Sequence, residues 1–176
     1  MTRQHSQQQQ KTSKPTRRRT QPDRGLMAMV LYRADLDAVR AELAAHLPPL
    51  QRQWAEWLRP GPWEWFATFT FASPVHPEQA NKRWARWISA IQWGGARTTR
   101  GEIVWARATE QQKRGVIHFH AVLGRVAGVG TFWAMRRWES IAGGFARIEP
   151  YMPGRGGIFY LVKKGDVELS PDWFDQ

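Results

Sequence analysis

Three observations predict the fold class of this chain. Strand-like and helix-like periodicities follow one another in the order β-α-β-β-α-β between residues 63 and 151. The two central strands are separated by only five residues, Q-Q-K-R-G, the length of a hairpin loop. The first intervening helix is apolar along one stripe and basic on the other, so only one of its sides covers a sheet. Together these predict an α+β fold: an antiparallel sheet of the ferredoxin-like, split βαβ type with helices on one face. The opposite face is then left free to bind something.

Each element can be justified in order. Residues 1–26 are Gln-rich, basic and almost free of apolar side chains, and read as a disordered tail. Residues 27–60 read as a helical lead-in that packs against the main domain. Leu36, Val39, Leu43 and Leu47 recur at helical spacing until Pro48-Pro49 stops the helix. Leu50, Trp54, Trp57 and Leu58 carry a second helix to about Leu58, where Pro60-Gly61-Pro62 breaks it. Residues 61–176 form the main domain. From Trp63, W-E-W-F-A-T-F-T-F-A alternates, with Ala67, Phe69 and Phe71 on one side and Thr68 and Thr70 on the other, a half-buried strand. His76-Pro77 opens a helix carrying Ala80, Trp84, Trp87, Ile88 and Ile91 on one stripe and Lys82, Arg83 and Arg86 opposite. After a loop at 94–101, the second strand is 102–110 and the third is V-I-H-F-H-A-V-L, 116–123. T-F-W-A-M-R-R-W-E-S-I makes a helix ended by Gly143-Gly144. F-A-R-I-E-P-Y, 145–151, is the fourth strand, and I-F-Y-L-V-K-K is a short terminal helix closed by Gly165.

Composition bounds the function. At 176 residues, with 42% hydrophobic content and 11 tryptophans, the chain can bury a real core. Most of the tryptophans, notably Trp54, Trp57, Trp84 and Trp87, are expected inside. No apolar run approaches the ~20 residues that span a bilayer, and the N-terminus lacks an apolar signal core. The absence of cysteine removes disulfides, thiolate zinc sites and cysteine nucleophiles together; a cytoplasmic location is expected. The net charge of +11 points to a polyanionic partner, nucleic acid first. Up to residue 25 there are seven Lys/Arg and one Asp, a surplus of +6, which leaves +5 for the rest. The folded part is therefore basic by itself.

The third strand carries the chemistry. Side chains alternate, so His118 and His120 share one face with Val116 and Val122, while Ile117, Phe119, Ala121 and Leu123 fill the core face. Two such imidazoles are about 7 Å apart at Cα and can converge on one metal ion. With a hairpin loop at 111–115, Glu110 lies opposite Val116 and diagonal to His118, on the histidine face. Two imidazoles and a carboxylate with open positions make a catalytic rather than a structural metal site. The competing reading is a pair of satisfied surface histidines. A cupin barrel would need an acid and a further histidine at short spacing downstream, and residues 121–138 contain neither; a two-histidine phosphoesterase would need a second His-x-Ser/Thr, and none is present. Tyr160 is one of three tyrosines, with Lys163 and Lys164 at i+3 and i+4. A cation there favours phenolate and binds phosphate; the plainer reading is an amphipathic helix with solvated lysines.

F-A-T-F-T-F (66–71), E-Q-Q-K-R-G-V-I-H-F-H (110–120) and Y-L-V-K (160–163) together resemble, in order and spacing, the motifs of the HUH (His-hydrophobe-His) endonucleases, in the replication-initiator class with a single tyrosine. The resemblance covers about residues 63–165. It implies an HUH-type fold and a metal-dependent nickase and ligase of single-stranded DNA, which starts rolling-circle replication of a plasmid or phage. Tyr160 would be the nucleophile that forms a 5′-phosphotyrosine. His118, His120 and Glu110 would hold Mn²⁺ or Mg²⁺, and Lys163 would help position the tyrosine or neutralise phosphate, a task Lys164 could also serve. The partner would be single-stranded DNA at an origin, presented by a hairpin. Only twelve residues follow Lys164, so a helicase is expected in trans from the host. Tyr151 is read as strand packing. Two alternatives stand beside this reading: an HUH transposase with the same chemistry, and a non-catalytic nucleic-acid-binding module, since sheets of this type also bind RNA through aromatics.

Overall fold

A computed structural model describes residues 38, 42, 44–94, 101–111, 115–163 and 166–175. The 1–26 tail and half of the helix expected over 36–47 lie outside the described residues, as do Lys164 and Gly165. The helices are α1 (Pro49–Leu58), α2 (Pro77–Gly94), α3 (Thr131–Ala142) and α4 (Gly157–Lys163). The strands are β1 (Trp63–Thr70), β2 (Val104–Gln111), β3 (Ile117–Gly124), β4 (Ala146–Pro150) and β5 (Val167–Leu169). Local chemistry sets several of these limits. Pro49 opens α1, where a missing N–H costs nothing. Gly143 ends α3 in the left-handed conformation, φ 70°, and its N–H closes on the Glu139 carbonyl.

The five strands form one antiparallel sheet in the order β4-β1-β3-β2-β5. Its first four strands have the order of a split βαβ unit. β5 was not expected from sequence. It adds three residues to the free edge of β2, pairing Ala106 with Leu169 and Ala108 with Val167.

One face of the sheet carries the larger core. Phe69 and Phe119 meet Trp84, Trp87 and Trp138 from α2 and α3. The two fully buried indoles also satisfy their N–H groups: Trp87 Nε1 donates to the Ala134 carbonyl and Trp138 Nε1 to that of Thr70, each at 2.9 Å. Ala80, Trp84, Trp87 and Ile91 are buried as the periodicity predicts, and Ile88 packs against them half-buried.

The second face differs from the expectation. It is not left free: Val104, Ala106, Ala108 and Val122 are buried beneath Ile158, Leu161 and Val162 of α4. Leu47, Ala55 and Leu58 of the lead-in pack on the same cluster, and Trp63 stacks on Trp173 with ring centroids 5.1 Å apart and planes 1° apart. The physical reason lies in the side chains. The outward row of β2 is Val-x-Ala-x-Ala, apolar and small, so a helix can approach closely and must, to keep that row from water. The α1 stripe is also shifted from the expected one. Ala55 and Leu58 point inward, while Leu50 and Trp57 are exposed and Trp54 is half-buried.

Candidate functional site

The register places the histidine face residue by residue. Across one row lie Glu110, His118 and Thr70; across the next lie Ala108, His120, Thr68 and Arg147. Glu110 is thus directly opposite His118 rather than diagonal to it. The ladder runs one residue further than expected on β2, pairing Gln111 with Ile117, so the loop is 112–116. Its residues 112–114 are outside the described ones.

His120 is the centre of the arrangement, and only 6% of it is exposed. Its Nε2 lies 2.9 Å from Glu110 Oε2 and its Nδ1 lies 3.1 Å from Thr68 Oγ1. An ionised carboxylate can only accept, so with neutral His120 the Nε2–H donates to Glu110 and the Thr68 hydroxyl donates to Nδ1. Were Nε2 instead given to a cation, Nδ1–H would donate to the same hydroxyl, which can also accept. Thr68 serves both tautomers. The third neighbour is Tyr160: its ring meets the imidazole edge-on, with centroids 4.8 Å apart, and Phe66 meets the tyrosine edge-on in turn.

α4 brings the tyrosine to this spot. Gly157, Ile158, Leu161 and Val162 are its buried residues, and the 3.6-residue period turns Tyr160 outward to the rim, 40% exposed. Gly157 stands where a Cβ would press into the Phe66 ring, so the start of the helix approaches β1 as only glycine permits. Tyr160, His120, Thr68, Phe66 and Arg155 line a hollow of about 280 Å³. Tyr151 lines it too, half-buried at the end of β4. Lys163 lines a neighbouring hollow of about 380 Å³ that shares Tyr160 and Arg155 with the first.

The donor chemistry can be tested against a divalent ion. Adjacent ligands of an octahedral ion, each about 2.1 Å from it, lie about 3.0 Å from one another. The 2.9 Å between His120 Nε2 and Glu110 Oε2 has that spacing. His118 shares the face, but among the described residues no three His, Cys, Asp or Glu side chains close on a single point. Burial lowers the His118 imidazole below its ordinary value of 6.5, and the facing Glu110 charge opposes the shift. A lowered value keeps the ring neutral and able to donate a lone pair. The pair fits two ligand positions, with His118 beside them.

Four of the five residues singled out from sequence therefore meet on one patch: Glu110, His118, His120 and Tyr160. The fifth, Lys163, borders it. Sequence reasoning passed over Thr68 and Arg155. Thr68 was legible in principle, because the alternation of F-A-T-F-T-F puts it on the polar side of β1; only the β1–β3 register shows that it abuts His120. Arg155 carries no periodic signal, since it sits in a short 3-10 turn at Pro153–Arg155.

No protein-family model matches the chain, and no curated protein and no solved structure matches it. Among the described residues no helix is long and apolar enough to cross a membrane.

Proposed function

We propose that this protein is a tyrosine nuclease of the HUH type, a metal-dependent enzyme that nicks and rejoins single-stranded DNA. The observation that carries the reading is the meeting of Tyr160 with His120 at 4.8 Å, on the imidazole that also touches Glu110. A nucleophile and one member of a cation-binding pair, His120, then line one hollow, with Glu110 bonded to that imidazole, which is what attack on a phosphodiester requires.

In the reaction, the Tyr160 phenolic oxygen forms a bond to phosphorus as the bond to the 3′ oxygen breaks. The phenol gives up its proton and the departing 3′ oxygen takes one up. One phosphoester replaces another, so the reverse reaction rejoins the ends without an energy source. A divalent ion held by His120 and Glu110, with His118 beside them, supplies charge stabilisation to the phosphate when bound. The chain does the rest. Leu161 and Val162 hold α4 down, so Tyr160 meets the phosphate from a fixed direction. Thr68 orients His120. Arg155, and Lys163 beyond it, offer positive charge to phosphates on either side of the tyrosine. The surplus basic charge of the folded part favours a polyanion. Initiation of rolling-circle replication is the role the motif order favours, with transposition as the variant that shares every step.

The test is a denaturing gel of the full chain with labelled single-stranded oligonucleotides and Mn²⁺. A protein–DNA adduct is expected, lost with EDTA and in Tyr160→Phe. If wild type forms no adduct on a library that contains the cognate origin, but binds single strands, the protein is a binding module instead.

A further inference from the structure

A second feature of the surface lies one strand from the histidines and has no part in the chemistry above. Between α3 and the start of β4 is a hollow of about 630 Å³, lined by Phe132, Met135, Arg136, Phe145 and Thr70. Phe132 is 73% and Phe145 66% exposed, a costly way to place two large apolar rings. Neither is loosely held. Thr70 N–H donates to the Phe145 carbonyl at 2.8 Å, and Phe145 N–H donates to Thr70 Oγ1 at 2.9 Å. Gly144, just before, packs so closely on the Thr70 carbonyl that no Cβ fits. Phe132 projects from the first turn of α3, which Gly143 ends cleanly.

Position and charge say what the rings are for. Thr70 lines this hollow and is also the ladder partner of His118. Arg147, paired with Thr68 in the His120 row, stands on β4 between the two hollows and is exposed. Arg136 borders the aromatic one. Both arginines make exposed ion pairs among the described residues, to Glu139 and Glu149, which are weak enough to exchange for phosphate. Alternating cationic and aromatic side chains in a track match one polymer: phosphates on the outside, flat bases between.

We propose that this hollow seats unpaired bases of the single strand flanking the cleaved phosphate, with Phe132 and Phe145 as stacking platforms and Arg147 and Arg136 as phosphate contacts. The strand leaves the histidine hollow over Arg147 and crosses the β4 edge. This rests on the nuclease reading above and adds to it the path of the substrate.

The experiment measures two things on the same proteins: affinity for a single-stranded oligonucleotide in EDTA, with 2-aminopurine at successive positions as a stacking probe, and adduct yield with Mn²⁺. Phe145→Ala and Phe132→Ala should each weaken binding on the order of 10-fold, the scale of one lost base–aromatic stack, and relieve quenching at one or two positions. Phe145→Trp should restore both. Arg147→Ala should lower the salt slope of binding by about 0.7, the share of one single-strand phosphate. Wild-type binding and adduct yield in both phenylalanine variants would overturn the proposal and leave the nuclease reading standing. The same holds if the variants change the sedimentation of the free protein and not its DNA affinity, since the hollow would then seat a second copy. If wild type binds single strands with normal quenching but forms no adduct, the track stands and the nuclease reading falls.

Discussion

Thr68 Oγ1 lies 3.1 Å from His120 Nδ1, on the far side of the ring from Glu110. The imidazole is thus held at both nitrogens, and its plane is set before any ligand arrives. Thr68→Val keeps the β-branched shape and removes the hydroxyl. Adduct formation should fall about 10- to 100-fold, the usual effect of losing the partner behind a metal-binding histidine. Thr68→Ser should recover most of it. Because no positive charge is removed, single-strand affinity should stay within about 3-fold in both variants; a parallel loss of binding would show that Thr68 acts on the fold instead.

His118 and His120 should separate cleavage from binding. In His118→Ala and in His120→Ala, Mn²⁺ titrations followed by isothermal calorimetry should show weakened uptake, and nicking should drop at least about 100-fold. Single-strand affinity in EDTA should change little, since it comes from dispersed positive charge. Undiminished Mn²⁺ binding in both variants would move the ion to another place.

Acidification should cost stability through His118. Its folded value lies below 6.5 because burial disfavours the cation. Between that lowered value and 6.5 the unfolded chain binds more protons than the folded one, so stability rises with pH across the window and is complete above it. Urea midpoints in EDTA should fall between about pH 7.5 and about pH 5, and His118→Gln should flatten part of that slope. Equal slopes in the two proteins would remove His118 as a contributor.

Gly144→Ala tests the junction between β1 and β4. The added methyl collides with the Thr70 carbonyl, which is backbone and cannot swing aside. A loss of about 1–3 kcal/mol is expected, as for other overpacked sites. The same Thr70 carbonyl receives the Trp138 indole, so a near-ultraviolet circular dichroism change should accompany the loss.

Arg107 is the buried charge on the other face of the sheet, 1% exposed and stacked over Phe119 at 4.1 Å and Trp84 at 5.1 Å. It is paired with Glu168 of β5 and bonded to Asn81 at 2.8 Å. Among the described residues its Nε and one terminal nitrogen have no partner. Removing one member of a buried pair costs about 3–5 kcal/mol; with Glu168 half in solvent, Glu168→Ala should cost less than that and more than the roughly 1 kcal/mol of an exposed pair. Arg107→Met with Glu168→Ala should regain most of that, measured by chemical denaturation. A double variant no more stable than the single one would refute this account.

What could be read from sequence was what depends on local spacing. The alternation of β1, the stripe of α2 and the glycine stop of α3 are one-dimensional patterns, and each lies where it was expected. The antiparallel β4-β1-β3-β2 order followed from them. What could not be read depends on distant pairing. Val167–Leu169 is too short for a period, and becomes a strand only because β2 offers an unpaired edge. Glu110 was placed on the correct face by parity, yet the ladder register set it opposite His118 and not Val116. The burial of the second face hung on Ala106 and Ala108, whose small size matters only once α4 is above them. Trp57 looked like core by its spacing and is instead an exposed ring edge-on to Trp54 and Trp173.

The packing of the lead-in on α4 has a practical side. Leu47, Ala55 and Leu58 share their cluster with Ile158, Leu161 and Val162, the residues on either side of Tyr160. A fragment cut at the boundary suggested by the motifs, near residue 61, would keep every residue of the hollow and lose the brace behind Tyr160. The smallest version of this protein that keeps this packing whole begins upstream of Leu47.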